Sequence, residues 1–389
     1  MIDITIHKKF RHFLFGSLYF AEGIYQIMLI LLVPLYLSEK NVSTPIITLV
    51  MGIGEIPWAL KFIFGGLTDI YQKYGRRKFT IFGTILGALG FLFLSFINEY
   101  FSLLFFTLFL FIGHVGIGFL DVSADAWVID ITKKEERGKI NASMNSGRMI
   151  SFSLIGPFIV IFSINYGYTL SFLLLGLIIL FIAMIPITIK DTEKKRKIDN
   201  LLKLVKNEFK KKLTLKTSIY VFFSSLQPGI FTALIVIYAK EMLNIDDYTI
   251  GLISAVLILA IVPGAYIGGI LSDKYGRKFP LFIFLIILSI SSLGFIFTKD
   301  ILTTVILIGI VSFALNAMLS INWALVMDIS NPKIGATEFS VITSIYNIGE
   351  TSMATISGTL VVLIGFQNIF ILLSIIILPA IISLFFVKK

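Results

Sequence analysis

The string Gly65-Gly66-Leu67-Thr68-Asp69-Ile70-Tyr71-Gln72-Lys73-Tyr74-Gly75-Arg76-Arg77-Lys78-Phe79 returns about two hundred residues later. The second copy reads Gly268-Gly269-Ile270-Leu271-Ser272-Asp273-Lys274-Tyr275-Gly276-Arg277-Lys278-Phe279. A near copy at that separation implies two units of one design in a single chain. Each copy closes a long apolar run and opens a short basic loop, so the duplicated element reads as a membrane helix with its exit.

Composition excludes the soluble alternatives. Apolar residues make up 57% of the chain and charged residues 14%, too little polar surface to keep a domain of this length in water. The net charge of +10 does not point to nucleic acid, because the basic residues lie in the gaps between apolar runs, the pattern of membrane orientation. Cysteine is absent, which removes disulfides, thiolate catalysis and zinc–thiolate sites. The first apolar run, after Lys8, Lys9 and Arg11, is too long for a cleaved signal and is expected to stay as the first helix.

Runs long enough to cross about 30 Å of hydrocarbon at about 1.5 Å per residue lie near 12–37, 46–69, 78–98, 101–130, 140–163, 168–189, 216–240, 248–271, 280–298, 301–327, 336–363 and 368–387. The expected fold is therefore an all-α polytopic membrane protein with twelve transmembrane helices in two pseudo-symmetric six-helix halves. With the amino terminus inside, 28 of the 33 Lys and Arg residues fall in inside segments, three (Lys40, Lys240, Lys299) outside and two (Lys61, Arg148) within spans. Both termini are then cytoplasmic, at the cell membrane.

The widest gap, Lys190 to Lys216, holds eleven basic residues and divides the spans six and six. The domain reading is 1–189 for the first bundle, 190–215 for a basic cytoplasmic linker and 216–389 for the second bundle. Ile198, Leu201, Leu202, Val205 and Phe209 recur at helical spacing within the linker. An amphipathic helix on the anionic inner leaflet and a solvated tether are the two readings.

The spacing Gly65-x-x-x-Asp69 followed by Gly75-Arg76-Arg77-Lys78, with Gly269-x-x-x-Asp273 followed by Gly276-Arg277-Lys278, resembles motif A of the major facilitator superfamily. The first copy carries three extra residues between its aspartate and Gly75. The glycines Gly65, Gly66, Gly268 and Gly269 would let two helices approach closely, and Gly75 and Gly276 would permit a tight turn. The resemblance implies that each motif arginine binds an acid at the cytoplasmic end of helix 4 or helix 10, here Asp130 and Asp328, as an inner gate. It also implies alternating access, with helices 1, 4, 7 and 10 lining the cavity.

A narrower resemblance rests on Pro57-Trp58-Ala59-Leu60-Lys61-Phe62; on Asp121-x-x-x-Asp125-Ala126-Trp127 with Glu135-Glu136-Arg137-Gly138 and Gly147-Arg148; and on Gly335-Ala336-Thr337-Glu338-Phe339 with Asn347-Ile348-Gly349. These passages are similar to the branch of AmpG-type muropeptide permeases, acetyl-CoA transporters and folate-biopterin transporters. No passage of the second half selects among those cargoes.

An ionisable group near the bilayer centre costs about 2.5 to 3.5 kcal/mol on insertion scales, so each needs a partner, a wet cavity or a function. Glu22, Lys61, Asp121 and Arg148 all fall roughly 10 to 16 Å from the cytoplasmic end of their spans and can meet in one layer. His114, Gly118, Asp121 and Asp125 share one helix face, as do Tyr19, Glu22 and Gln26. Glu22 is the first candidate for a proton carrier and Asp121 the second, with Arg148 competing for them; a permanently paired structural network is the alternative. His114 reads either as a titrating member of this set or as a hydrogen-bonded core residue. In the second half Gln227 beside Pro228-Gly229 predicts a break in helix 7. Asn316, Ser320 and Trp323 share a face, and Asn347 and Glu350 sit deep in helix 11. With Tyr19 and Gln26, the residues Gln227, Asn316, Trp323, Asn347 and Glu350 form the expected substrate cavity.

These features predict a secondary active transporter of a small organic solute, proton-coupled and monomeric in the bilayer. Neither cofactor, metal nor nucleic acid is expected. The alternative is efflux of a drug or metabolite by proton antiport, since Gly147 and Gly156-Pro157 partly resemble the helix 5 motif of antiporters. A membrane acyltransferase would need a nucleophile motif beside His114, and none is present. There is no glycine loop followed by Lys-Ser/Thr for ATP drive.

Overall fold

The computed structural model describes residues 3–5, 7–97, 102–132, 134–190, 201–298, 300–330 and 335–387. Ten helical segments among them are long and apolar enough to cross a membrane. Two of the ten are double. The run Lys134–Ile187 leaves helical geometry at Gly167 (φ 82°), and Gly335–Ile376 does so at Gly365 (φ 77°). Ten segments with two internal turns give twelve crossings, in an all-α polytopic membrane fold.

The crossings are α1 (Lys8–Glu39), α2 (Thr44–Thr68), α3 (Arg76–Ile97), α4 (Leu103–Ile131), α5 (134–166), α6 (168–187), α7 (Lys212–Glu241), α8 (Asp247–Tyr275), α9 (Lys278–Phe297), α10 (Ile301–Ile329), α11 (335–364) and α12 (366–386). A short helix, Leu201–Glu208, precedes α7. It coincides with the periodic stretch of the linker; Ile198 and the side chains of Leu201 and Leu202 lie outside what is described.

The chain forms two compact units. The first comprises residues 1–36 and 53–197, the second residues 37–52 and 198–389. The division differs from the linear one in that 37–52 belongs to the second unit. The start of α2 is tied there by specific contacts: Thr44 Oγ1 donates to Glu241 Oε1 (2.9 Å), and the Gly358 N–H donates to Thr48 Oγ1 (3.0 Å).

Two local departures from regular helix have identifiable causes. Met28–Leu32 of α1 is a π-helical turn, just ahead of Pro34, whose ring cannot take the place of an ordinary helical donor. The second helix is interrupted at Leu60 between Thr44–Ala59 and Lys61–Ile70, three residues after Pro57. By contrast α7 runs unbroken through Pro228, so the break predicted at Gln227 is absent. Tertiary packing holds the helix: Gly229 lies against the backbone of Glu350 so closely that a Cβ would overlap it.

Glycine contacts set the helix pairs within each unit. In the first, Gly147 of α5 meets Gly16 of α1, and Gly83, Gly87 and Gly90 of α3 face Gly113 and Gly116 of α4. In the second, Gly229 and Gly349 join α7 to α11, and Gly264 and Gly268 join α8 to α10. Such contacts replace the hydrophobic driving force that lipid does not supply. The expected close approach at Gly65 and Gly66 is not found among the described residues, since a Cβ on either would meet none of their atoms within 4 Å. Beyond the Leu60 break it is the ring of Phe64 that packs, against Gly118 and 4.6 Å from Phe119.

Candidate functional site

Glu22 on α1 is fully enclosed, and its Oε1 lies 2.6 Å from Arg148 Nη2 on α5, whose side chain keeps 25% exposure. Gln26 Nε2 donates to the same oxygen at 3.2 Å. Two glycine contacts bring the facing residues together. Gly16 meets Gly147 on one side, and Gly23 lies against Ser151 and the Arg148 carbonyl on the other. The pair is not fully satisfied: Glu22 Oε2 and Arg148 Nε are buried without a hydrogen-bond partner.

The second pair joins α2 to α4. Lys61 Nζ lies 3.1 Å from Asp121 Oδ2 and 4.4 Å from the centre of the Trp58 ring. The Leu60 break makes Lys61 the first residue of the segment Lys61–Ile70. Tyr19 links the two pairs: its ring lies 4.9 Å under the Arg148 guanidinium, and its hydroxyl donates to Asp125 Oδ1 at 2.6 Å, with Asp121 Oδ1 at 3.2 Å. Asp125 is exposed. The layer thus holds three carboxylates, Glu22, Asp121 and Asp125, against two cations, Lys61 and Arg148. Each cation takes one carboxylate, and Asp125 is held by the Tyr19 phenol.

His114 is buried among α1, α2 and α4 rather than facing the carboxylates. Its Nδ1 is 2.6 Å from the Gly54 carbonyl, which can only accept, so Nδ1 carries the hydrogen. The imidazole lies 5.8 Å from the Trp58 ring and 4.9 Å from Tyr25. Its Nε2 is buried without a partner. Through Trp58 the ring stack ends on Lys61.

The second unit holds the expected cavity residues Gln227, Asn316, Trp323, Asn347 and Glu350. Gln227 is fully buried and donates to Ser292 Oγ at 3.2 Å. Asn316 bonds the Ser312 carbonyl of its own helix (2.8 Å), while Trp323 packs edge-on against Phe339 and Tyr346 of α11. Asn347 is buried and Glu350 half-buried. A polar set that sequence reading missed lies between α7 and α10. Tyr220 OH donates to Asn322 Oδ1 at 2.7 Å, and Asn322 Nδ2 donates to Ser224 Oγ at 3.1 Å. The available signal was an Asn in an apolar run, one helix face away from Asn316.

The repeated motif folds alike in both units. The three-residue insertion of the first copy is a single 3₁₀ turn, Gln72–Tyr74. It restores the register, so that Gly75 (φ 85°) and Gly276 (φ 77°) make the same left-handed turn. Arg76 Nε then reaches Asp130 Oδ2 at 3.4 Å, and Arg277 Nε reaches Asp328 Oδ2 at 3.0 Å. The first pair is buried (8% and 5% exposed), the second open (24% and 34%) and shared with Asp273, 2.7 Å from Arg277 Nη1. Arg77 bonds the Ile189 carbonyl. Gly269 has Ser320 Oγ 3.7 Å from the place of its missing Cβ. The side chain of Asp69 lies outside what is described.

Comparison with known proteins adds independent findings. The family model described as Major Facilitator Superfamily matches the chain twice, over residues 15–226 and 217–389. AmpG 4 of Rickettsia felis, named as a candidate transporter, is 23% identical over 421 residues, covering 100% of this chain and 99% of the relative. AmpG 1 of Rickettsia conorii, named likewise, is 22% identical, covering 91% and 92%. Among solved structures, a bacterial homolog of the human lysosomal transporter Spinster, inward-facing and unoccupied, superposes with TM-score 0.76 at 14% identity, covering 98% of this chain and 95% of the other. A POT family transporter in complex with a thioalcohol-conjugated peptide gives 0.76 at 14%, covering 98% and 96%. At that identity the likeness establishes the fold.

Proposed function

The chain belongs to the Major Facilitator Superfamily, and from that premise we propose that it is a proton-coupled secondary transporter moving a small organic solute across the cell membrane by alternating access. Its amino and carboxyl termini are cytoplasmic in this reading. The observation that carries the coupling is the layer of Glu22, Asp121 and Asp125 with Lys61 and Arg148 inside the first unit. Three carboxylates against two cations leave one negative charge in excess inside apolar helices. The excess falls on Asp125, which among the described residues has no cation of its own and accepts only from the Tyr19 phenol, so a proton can enter the layer there without displacing an ion-pair partner.

The ion pairs Arg76–Asp130 and Arg277–Asp328 act in this proposal as gate elements, made or loosened as the transporter changes state. The resemblance to AmpG-type permeases and the AmpG relatives support peptidoglycan fragments as the first solutes to test, ahead of acetyl-CoA and pterins. A thermal-shift screen of the purified protein against the three classes tests the cargo. A ligand at 100 times its dissociation constant adds about 2.7 kcal/mol of stability, and a flat response to all three removes the branch as a guide. Glu22→Gln in proteoliposomes tests whether the layer acts as a unit: taking the carboxylate partner from Arg148 is expected to lower pH-driven uptake, and full retention removes the Glu22–Arg148 pair from the coupling.

A further inference from the structure

The Tyr19 phenol has one hydrogen and two carboxylate oxygens within reach, Asp125 Oδ1 at 2.6 Å and Asp121 Oδ1 at 3.2 Å. Asp121 is already committed through its other oxygen to Lys61, and Glu22 to Arg148. Asp125 alone of the three can gain a proton without breaking an ion pair, and it is exposed where Glu22 and Asp121 are buried.

We infer that Asp125 is the proton-accepting group of the layer and that Tyr19 is a two-position switch reporting its state to Asp121. This rests on the proton-coupled reading above and names its site. The step balances simply: a proton from water forms an O–H bond on Asp125, and no covalent bond of the protein breaks. As a neutral acid Asp125 donates to the Tyr19 oxygen instead of accepting from it, and the phenol hydrogen turns to Asp121 Oδ1. That second donor draws charge on Asp121 away from Lys61, so protonation at one residue loosens the α2–α4 ion pair. The groups facing Asp125 are Tyr19 from α1, Lys61 from α2, Asp121 from its own helix and Arg148 from α5. The phenol ring lies under Arg148, and the switch needs only its hydroxyl to turn.

Infrared pH titration of the purified protein in lipid nanodiscs reads the protonated carboxyl directly and needs no solute. The assignment expects one carboxyl band to grow on acidification, to vanish in Asp125→Asn and to persist in Glu22→Gln. In Tyr19→Phe, which keeps the ring and removes the donor, the midpoint should rise by about one pH unit, because a hydrogen bond to the charged form favours it. A purely structural tyrosine would lower the amount of folded protein and leave the midpoint in place. Survival of the band in Asp125→Asn, or an unmoved midpoint in Tyr19→Phe, overturns the assignment. If the band behaves as expected while wild-type vesicles show no pH-driven uptake, the coupling reading falls and the proton's place stands.

Discussion

Arg148 Nη2 lies 2.6 Å from Oε1 of Glu22, a carboxylate with no solvent exposure, on two helices held in contact by Gly16 and Gly147. Removing one member of a buried pair leaves the other charge uncompensated, at about 3 to 5 kcal/mol. Arg148→Met should therefore lower stability by that order in denaturant unfolding of the purified protein. Adding Glu22→Gln to it should recover most of the loss, because the stranded charge is then gone. Equal stability of the single and double variants would contradict this account of the pair.

The two motif arginines should differ in cost. Asp130→Asn breaks a buried contact to Arg76 and should cost about 3 kcal/mol. Asp328→Asn breaks a solvated one and should cost under about 1 kcal/mol, an effect that fades at 1 M salt as the Debye length falls to about 3 Å. Thermal unfolding of both variants at low and high salt checks the contrast.

Glycines of the same sequence type should respond in opposite ways. A Cβ on Gly147 would overlap the Gly16 carbonyl and one on Gly229 the Glu350 backbone, whereas one on Gly65 meets nothing within 4 Å among the described residues. Gly147→Ala and Gly229→Ala should each lose about 1 to 3 kcal/mol through forced separation of packed helices. Gly65→Ala should stay within about 0.5 kcal/mol of the parent. Unfolding midpoints of the three variants decide it.

Two exposed aspartates give a pH prediction. Asp246 and Asp300 cap α8 and α10, accepting from the backbone N–H of Thr249 (2.9 Å) and Thr303 (2.8 Å). Those hydrogen bonds hold both carboxyls below the ordinary 3.8. A depressed folded-state value means the capping contribution is full above the unfolded value and is lost as pH falls through the folded one. Asp300→Ala should lower the melting temperature at neutral pH, and the gap to wild type should close below pH 3.8.

The twelve crossings were legible because hydropathy sums along a run regardless of neighbours. The layer of Glu22, Lys61, Asp121 and Arg148 was legible for a related reason. Depth along a helix follows from about 1.5 Å per residue, and charges in apolar runs require company. Pairing was not legible, since three carboxylates and two cations admit several matches. The choice depends on helix rotation, which is set by Gly16, Gly23 and Gly147 at other positions. Proline was ambiguous for the same reason: Pro57 precedes a break at Leu60, while Pro228 is carried through an unbroken helix because Gly229 seats it against α11. The phenol of Tyr19, expected among substrate contacts, bonds the carboxylates of the charged layer, a partner that only side-chain geometry could assign.

Uptake by the purified protein in proteoliposomes, with the pH outside made acidic relative to the lumen, tests the central claim most directly. The account predicts that a labelled peptidoglycan fragment accumulates above its external concentration, and that a protonophore abolishes the accumulation. Uptake that merely equilibrates, at the same rate with and without the gradient, would contradict proton coupling.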